Sequence, residues 1–233
     1  IRKKSFVFEV RDLWPELPKA MGVIKNPIIL FLMSLLEFFS YKSAVACIGL
    51  SPGIIKGIKK RAPNKKTIMI PNGCDLDIST NALSKKNDTK FTAVFTGAHG
   101  LANGLDSVLD AAKILLNKSI NDIEIHFIGD GALKEKLIKR AKNEGLINCT
   151  FLEPMPKVEL FNYLKLNADV GLMILDNVPA FYYGTSPNKF FDYIGLGLPV
   201  INNYPGWISE IIKDHNCGLY VEPGNGQSFV NAL

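Results

Sequence analysis

The sequence has 233 residues, 47% of them hydrophobic and 21% charged, which is the composition of a globular protein long enough to bury a core. The net charge of +5 is modest, and six of the basic residues lie between positions 56 and 66. No aromatic residues are interleaved with them, a pattern unlike that of nucleic-acid recognition. This run predicts a solvated helix face, with a patch for an anionic membrane surface as the alternative.

The first third of the chain alternates strand and helix patterns. Strands are predicted at Phe6–Val10, Ala44–Ile48 and Thr67–Ile70, and helices at Pro27–Lys42 and Pro52–Lys60. The sequence starts without methionine and runs directly into the first strand pattern, so we expect this domain to be truncated at its N-terminus.

The run Pro27–Phe39 is strongly apolar. It is shorter than the roughly 20 apolar residues that a transmembrane helix needs. We therefore predict a buried helix here, with an interfacial membrane helix as the alternative.

A polar stretch divides the chain. Pro71–Gly73 has the chemistry of a turn, and Ser84–Thr89 has too little apolar content to pack. We therefore predict the C-terminal part of a first domain at 1–78, a linker at 79–89 and a second domain at 90–233.

From Phe91 onward, strand and helix patterns alternate regularly. The predicted strands are Phe91–Thr96, Ile123–Ile128, Cys149–Leu152, Asp169–Leu175, Pro199–Asn202 and Gly218–Val221. The predicted helices are Leu105–Asn117, Leu133–Glu144, Val158–Asn167, Pro187–Ile194 and Trp207–Asp214. The strands are nearly continuous apolar runs, as in sheets covered on both faces. This alternation predicts an α/β fold with parallel sheets, in which ligands bind beyond the carboxyl ends of the strands.

The four cysteines are widely spaced and match no metal or redox pattern. We interpret them as reduced thiols, which indicates a reducing compartment. The sequence also lacks a P-loop, an HExxH motif and a Ser-His-Asp spacing.

The segment from residue 183 to 201 combines a helix start with two charged side chains. Ser186 is predicted to cap the helix and Pro187 to occupy its first position. Lys189 and Asp192 are three residues apart and therefore lie on one side of the helix. Free amides beside a cation and a carboxylate suit a ligand with phosphate and hydroxyl groups, such as a nucleotide sugar. A plain helix start with a solvated ion pair is the alternative.

A glycine-rich loop follows the strand at Phe91–Thr96. Gly97 and Gly100 allow the backbone to approach a ligand closely, and exposed amides there are suited to a diphosphate. His99 and Asn103 are the polar side chains placed to contact an anion. A tight turn, with the histidine in solvent or capping a helix, is the alternative.

A second loop follows the strand at Ile123–Ile128. Gly129 and Gly131 flank Asp130, which predicts a sharp turn in which the aspartate caps the next helix. Backbone contact to a ligand is predicted at the two glycines.

Arg11 and Asp12 directly follow a predicted buried strand. Charged groups in this position are candidates for a binding site at the end of the strand, and an Arg–Asp pair that stabilises the loop is the alternative.

These segments together resemble the retaining glycosyltransferases of the GT4 class, which have the GT-B fold of two Rossmann-like domains. The resemblance is strongest to bacterial amino-sugar and fucosyl transferases that build O-antigen and capsule. The similar segments follow the family order and are Glu9–Glu16, Glu37–Gly53, Ile70–Asp75, Phe95–Asp106, Ile128–Gly131 and Ser186–Ile201.

The resemblance implies roles for individual residues. Asp192 would hold the ribose of the donor nucleotide, while Lys189 and the helix start would neutralise the diphosphate, with Asn188 also in the donor site. The family has a further glutamate where this chain has Gly184, so the amides of Gly184, Thr185 and Ser186 are expected to replace it. Arg11 and Asp12 would lie on the acceptor side.

The resemblance also implies a function. We expect transfer of a sugar, with retention, from a nucleotide diphosphate sugar to a lipid-linked or saccharide acceptor in O-antigen or capsule synthesis. No cofactor and no metal are expected. The expected location is the cytoplasm, with a peripheral contact to the inner membrane. A non-catalytic nucleotide-sugar-binding subunit and a GT-B nucleotide-sugar epimerase are the alternatives.

Overall fold

The computed structural model describes residues 4–76 and 90–233, which divide into two compact units. The first unit runs up to Asn72 and includes Val178–Pro187 and Gly206–Ile208. The second contains Gly73–Asn177, Asn188–Pro205 and Ser209–Leu233. The predicted linker at 79–89 lies outside the described residues, so the predicted domain limits stay a prediction.

The strands, in chain order, are β1 (Val7–Val10), β2 (Ala46–Gly49), β3 (Thr67–Met69), β4 (Phe91–Thr96), β5 (Ile123–Ile128), β6 (Cys149–Leu152), β7 (Val170–Met173), β8 (Val200–Asn202) and β9 (Gly218–Tyr220). The helices are α1 (Glu16–Ala20), α2 (Pro27–Ser43), α3 (Pro52–Arg61), α4 (Asp106–Asn117), α5 (Lys134–Asn143), α6 (Lys157–Asn167), α7 (Ala180–Gly184), α8 (Asn188–Gly195), α9 (Trp207–His215) and α10 (Gly226–Ala232). A short 3-10 helix at Leu101–Asn103 precedes α4.

The sequence patterns predicted most of these elements. The predicted helices and strands occur close to their expected positions, because each has an apolar face or run of the right period. The short helices α1, α7 and α10 were not predicted. Helix α8 begins at Asn188, one residue later than expected.

The first unit contains a parallel three-stranded sheet in the order β1-β2-β3. Its buried core joins the sheet to α2 and α3, and consists of Val10, Tyr41, Ala44, Cys47, Leu50, Ile54 and Ile58. Ser51 caps α3 by accepting a hydrogen bond from the amide of Ile54 at 3.3 Å, and Pro52 fills the first helical turn.

Helix α2 is not the buried helix that the sequence predicts. Within the described residues only Glu37 and Tyr41 of this helix are buried. Its exposed large apolar side chains are Ile28, Ile29, Phe31, Leu32, Leu35, Leu36, Phe38 and Phe39. The physical reason is that a three-stranded sheet with one neighbouring helix covers a single narrow face of α2, which is apolar all round.

The buried face of α2 carries an ion pair that fixes the helices together. The Nε atom of Arg61 lies 2.8 Å from Oε2 of Glu37, and the hydroxyl of Tyr41 donates to Oε1 of Glu37 at 2.7 Å. Arg61 also pairs with Glu16 of α1. The basic run at 56–66 is therefore only partly a solvated face, since Lys56, Lys59 and Lys60 are exposed but Arg61 is structural.

The second unit contains a parallel six-stranded sheet in the order β6-β5-β4-β7-β8-β9. Helices α4 and α10 pack together on the core cluster of this sheet, which includes Phe95, Leu109, Phe127, Leu172 and Phe229. This strand order is that of a doubly wound Rossmann sheet, in which the order of the strands reverses between the parallel neighbours β4 and β7. The crevice at their carboxyl ends is the expected ligand position.

Candidate functional site

Two segments of the second unit meet beyond the carboxyl ends of β4 and β7. One is the loop that follows β4, from Gly97 to Gly104, and the other is the start of α8. Lys189 lies in the first turn of α8 and Asn103 lies in the loop. Their side chains bond to each other, so the two segments with the strongest sequence signals share one site.

Tyr193 fixes α8 against the end of β4. Its fully buried hydroxyl accepts a hydrogen bond from the amide of Thr96 at 2.9 Å, and lies 3.0 Å from Oγ1 of Thr96 and 3.2 Å from the carbonyl oxygen of Val94. The ring packs on β7 at Gly171, where a Cβ atom would lie 2.3 Å from it. Because Lys189 precedes Tyr193 by four residues, it lies on the same face of α8.

The ammonium group of Lys189 lies against the face of an aromatic ring. The Nζ atom lies 3.9 Å from the centroid of the Phe95 ring and donates to Oδ1 of Asn103 at 3.1 Å. No carboxylate of the described residues pairs with it. Burial lowers the pKa of Lys189 to about 7, since loss of water disfavours the charged form.

Asn103 holds the loop as well as the lysine. Its Nδ2 atom donates to the carbonyl oxygen of Ala98 at 2.7 Å, while its Oδ1 atom accepts from Lys189. The side chain was predicted to contact an anion directly. In the structure it ties the glycine-rich loop to the lysine of α8, and the contact with an anion stays a prediction.

The two glycine-rich loops lie against each other through their backbones. The amide of Gly97 donates to the carbonyl oxygen of Ile128 at 2.9 Å, and that of His99 donates to Asp130 at 2.8 Å. Gly129 has φ of +142°, and a Cβ atom there would lie 2.0 Å from the carbonyl oxygen of Gly97. Gly129 and Gly131 are therefore required by packing between the loops, which extends the pairing of β4 with β5.

This pairing decides which loop amides are available. The amides predicted for a diphosphate at Gly97 and His99 are already bonded. The amides of Ala98 and Gly100 have no acceptor in the part of the chain that the structure describes. Ala98 is exposed and Gly100 half-buried, so these two donors are open to a ligand.

His99 does not face solvent, contrary to the alternative considered for it. It is fully buried, with the rings of Phe95, Phe127 and Phe151 at centroid distances of 5.9, 6.3 and 6.3 Å. Neither ring nitrogen has a hydrogen-bond partner among the described residues. Burial, with the nearby Lys134, lowers the pKa of His99, so the imidazole is neutral and serves to pack the loop.

Asp130 stabilises its turn as predicted, but the prediction that it caps α5 is wrong. Its Oδ1 atom accepts the amide of Gly131 at 2.7 Å, and its carbonyl oxygen accepts the amide of His99. The aspartate bonds within the turn rather than to an amide of α5.

Asp192 lies one turn after the start of α8, with its side chain 19% exposed. Its Oδ1 atom lies 3.4 Å from the Nζ atom of Lys157 in α6. Burial raises the pKa of Asp192, and the cation of Lys157 opposes that shift. Lys157 bonds more closely to Asp75, at 2.8 Å.

Gly184, Thr185 and Ser186 belong to the first unit. The hydroxyl of Ser186 accepts the amide of Asn72 at 2.9 Å, and its carbonyl oxygen accepts a bond from the Asn72 side chain. The carbonyl oxygen of Thr185 accepts from Nε1 of Trp207 at 2.6 Å. These atoms are thus engaged inside the first unit, while Asn188, the first residue of α8, is exposed.

Arg11 and Asp12 also lie in the first unit, beside a cavity of about 530 Å³. Arg11 pairs with Glu9 at 2.7 Å rather than with Asp12, so the alternative of a loop-stabilising Arg–Asp pair is wrong. Burial raises the pKa of Asp12, and Arg11 opposes the shift. The cavity is lined mainly by apolar side chains, including Phe8, Met33 and Leu36, together with Glu37 and Tyr41.

Sequence reasoning missed Tyr193 and Lys157. Tyr193 lies four residues after Lys189, a spacing that places it on the same helix face and could have indicated its supporting role. No signal in the sequence relates Lys157 to Asp192, because their contact joins separate helices.

Parallel sheets with this strand order define a Rossmann-like α/β protein, in which the expected ligand position is the switch point between β4 and β7. Residues 80–233 match the family model described as Glycosyl transferases group 1, and the chain belongs to this family. No curated protein matches the sequence.

Three solved structures illustrate the fold. Sucrose-phosphate synthase from Thermosynechococcus elongatus has 16% identity and a TM-score of 0.70, and the alignment covers 97% of this chain and 57% of the synthase chain. HepE (Alr3699) from Anabaena, in complex with UDP and glucose, has 15% identity and a TM-score of 0.70, covering 98% and 61%. WaaG, a glycosyltransferase involved in lipopolysaccharide biosynthesis, has 15% identity and a TM-score of 0.69, covering 97% and 64%.

These similarities confirm the predicted α/β fold with parallel sheets of the GT-B type. The chain spans less than two thirds of the length of each of these structures. Across residues 4–76 and 90–233, no helix has both the length and the apolar character needed to cross a membrane.

Proposed function

We propose that this chain binds a nucleotide diphosphate sugar and acts in a retaining glycosyltransferase. The sugar would pass to a lipid-linked or saccharide acceptor, in the synthesis of bacterial O-antigen or capsule. Membership of the group 1 family supports the transferase activity. The structural neighbour HepE is described in complex with UDP and glucose, which supports a nucleotide-sugar donor.

The observation that carries the proposal is the ammonium of Lys189. A half-buried ammonium held against an aromatic ring favours a counter-charge, and none of the described carboxylates supplies one. A bound anion would repair this imbalance. The amides of Ala98 and Gly100 add two donors in the loop that Asn103 ties to the lysine. This combination suits the oxygen atoms of a diphosphate.

The carboxylate of Asp192 supports the nucleoside half of the ligand. It lies three residues after Lys189 on α8, its side chain is 19% exposed, and the Nζ atom of Lys157 lies at the longer distance of 3.4 Å from its Oδ1 atom, which leaves the carboxylate able to accept further hydrogen bonds. The two hydroxyls of a ribose would satisfy it.

The reaction requires stabilisation of negative charge on the leaving diphosphate. Lys189 and the loop amides are rigidly placed, since Tyr193 and Asn103 hold them, and fixed donors in a site of low polarity stabilise such charge strongly. The approach of the diphosphate raises the pKa of Lys189, which keeps the ammonium charged during transfer. We propose that this positive charge acts without a metal or another cofactor.

The acceptor part of the proposal draws on the first unit. Arg11 and Asp12 flank an apolar cavity of about 530 Å³, which suits an acceptor with a lipid or a sugar portion. The exposed apolar side chains of α2 support a peripheral contact with the inner membrane, on its cytoplasmic face. The four cysteines are free, as a reducing compartment such as the cytoplasm maintains them.

A nucleotide screen tests the donor site directly. The melting temperature of the chain is measured with UDP, GDP, ADP and dTDP, and with the matching nucleosides as controls. A ligand that binds only the native state raises the melting temperature. We expect one diphosphate to do so more than its nucleoside. If no diphosphate changes the melting temperature, the proposed donor site is wrong.

Membrane contact is tested by sedimentation with vesicles. Vesicles of phosphatidylethanolamine with phosphatidylglycerol should carry the chain to the pellet, and the variant Leu36→Ser should reduce the bound fraction. Equal sedimentation of both proteins, or none of either, would reject α2 as the contact.

A further inference from the structure

The ammonium of Lys157 is shared between two carboxylates of the second unit. Its Nζ atom lies 2.8 Å from Oδ2 of Asp75, which is 61% exposed, and 3.4 Å from Oδ1 of Asp192, which is 19% exposed. The closer bond thus goes to the more exposed carboxylate. The less exposed carboxylate, that of Asp192, keeps the longer contact, although it has more need of a counter-charge.

The backbone near Asp75 is held against α8. A Cβ atom at Gly195 would lie 2.3 Å from Sγ of Cys74, so the residue before Asp75 packs directly on the end of α8. Lys157 begins α6, and its ammonium lies 5.3 Å from the centroid of the Phe161 ring. The two partners of Lys157 are therefore held in position by packing: Asp75 by the contact of Cys74 with α8, and Asp192 by its place in α8.

We propose that Lys157 is a positioning residue of the donor site: it keeps the Asp192 carboxylate ionised to accept ribose hydroxyls, while Asp75 sets how much of its charge Asp192 receives. The inference rests on the proposed function, because it concerns the residue that would hold the ribose. Lys157 itself touches no ligand in this arrangement and acts through Asp192.

The charges around Asp192 act in opposite directions. Burial raises its pKa, Lys157 from α6 lowers it, and Asp75 from the segment packed on α8 raises it. Tyr193, the next residue of α8, stays neutral because burial raises its pKa. An acid with a raised pKa loses its charge earlier as the pH falls, so ribose binding should weaken at a pH that these neighbours determine.

The two neighbours therefore predict opposite effects. In Lys157→Met the pKa of Asp192 rises further, and ribose recognition is lost at a higher pH than in the wild type. In Asp75→Asn the ammonium of Lys157 pairs with Asp192 alone and a negative neighbour is removed. The pKa of Asp192 therefore falls, and ribose recognition persists to a lower pH. A purely structural role would not give shifts of opposite sign.

The readout is the ratio of the dissociation constant of 2′,3′-dideoxy-UDP to that of UDP, measured by calorimetry between pH 4.5 and 8. Both ligands carry the diphosphate, so protonation of Lys189 cancels in the ratio. The ratio should be roughly tenfold or more at pH 8, since hydrogen bonds to a charged acceptor are lost in the dideoxy compound. If the wild type binds GDP instead of UDP, the ratio is measured with 2′,3′-dideoxy-GDP and GDP.

The pH at which this ratio is halfway through its change should rise by roughly half a unit or more in Lys157→Met and fall in Asp75→Asn. Lys157→Arg should restore the wild-type profile, and Lys139→Met, an exposed lysine of α5, should leave it unchanged. Identical profiles in all variants, with wild-type binding intact, overturn the role of Lys157 and leave the proposed function standing. Absence of diphosphate binding by the wild type overturns both.

Discussion

The Nζ atom of Lys189 lies 3.9 Å from the centroid of the Phe95 ring, at the end of the first strand of the Rossmann sheet. The ring face attracts the ammonium but cannot neutralise it, and the amide oxygen of Asn103 provides a single hydrogen bond. With burial lowering the pKa to about 7, the charge state of the site depends on whether an anion is bound.

Lys189→Met should weaken binding of a nucleoside diphosphate at least tenfold, because the buried counter-charge is lost. Affinity for the corresponding nucleoside should change little, since the ribose contact lies at Asp192. Calorimetry with both ligands separates these effects. Lys139→Met, an exposed lysine on α5, is the matched control. Equal losses for nucleotide and nucleoside would argue against a phosphate contact by Lys189.

The same variant should stabilise the free chain at pH 6. A lysine whose pKa is lowered on folding binds its proton more tightly in the unfolded state. Its protonation therefore destabilises the folded chain, and this effect is complete below the folded pKa of about 7. Lys189→Met should therefore raise the free energy of unfolding at pH 6 on the order of 1–3 kcal/mol. The difference should shrink as the pH rises from 7 toward 10. Urea denaturation at several pH values measures it, and a constant difference would contradict the buried charge.

Diphosphate binding should take up a proton near neutral pH. The free Lys189 is partly neutral at pH 7.5, and an adjacent anion raises its pKa, so binding completes its protonation. The heat of binding should then depend on the ionisation enthalpy of the buffer, and affinity should fall as the pH rises above 7. These changes should be much smaller in Lys189→Met. A binding heat that is the same in phosphate and Tris buffers would exclude this linkage.

Local patterns predicted the elements and the shared face of Lys189 and Asp192, because helix and strand periods are properties of short segments. They did not predict that Lys189 lies over Phe95 or that His99 is enclosed by three phenylalanines. Those contacts depend on the register of β4 against β5 and α8, which is set by residues far apart in sequence. For the same reason the sequence predicted an open amide at Gly97, which in the structure donates to the carbonyl oxygen of Ile128.

The exposure of α2 has a similar origin. The apolar run Pro27–Phe39 predicted a helix correctly, but burial depends on which surfaces are available to pack against it. Within the described residues, the sheet and α3 cover one face of α2, which includes Glu37 and Tyr41. Periodicity could not reveal this, because the run is apolar on every side.

Tyr193→Phe should destabilise the chain by about 1–3 kcal/mol, because the buried amide of Thr96 loses its acceptor. The anchoring of α8 to β4 weakens with it, so diphosphate affinity should also fall several-fold. Tyr163→Phe is the control, since that hydroxyl contacts His126 at 2.8 Å between α6 and β5. Thermal unfolding and calorimetry measure both effects. A Tyr193→Phe variant with wild-type stability and affinity would show that the hydroxyl does not position α8.

Gly129→Ala should disrupt the paired loops. Its φ of +142° is strained for alanine, and the new Cβ atom would lie 2.0 Å from the carbonyl oxygen of Gly97. The backbone must shift, which should lower stability by about 2 kcal/mol or more and displace the amide of Ala98. Gly100→Ala is the matched control: φ is −115° and no atom lies within 4 Å of the added Cβ, so stability should stay within about 0.5 kcal/mol. Denaturation and diphosphate affinity are measured on both variants, and equal behaviour of the two would refute the close contact of the loops.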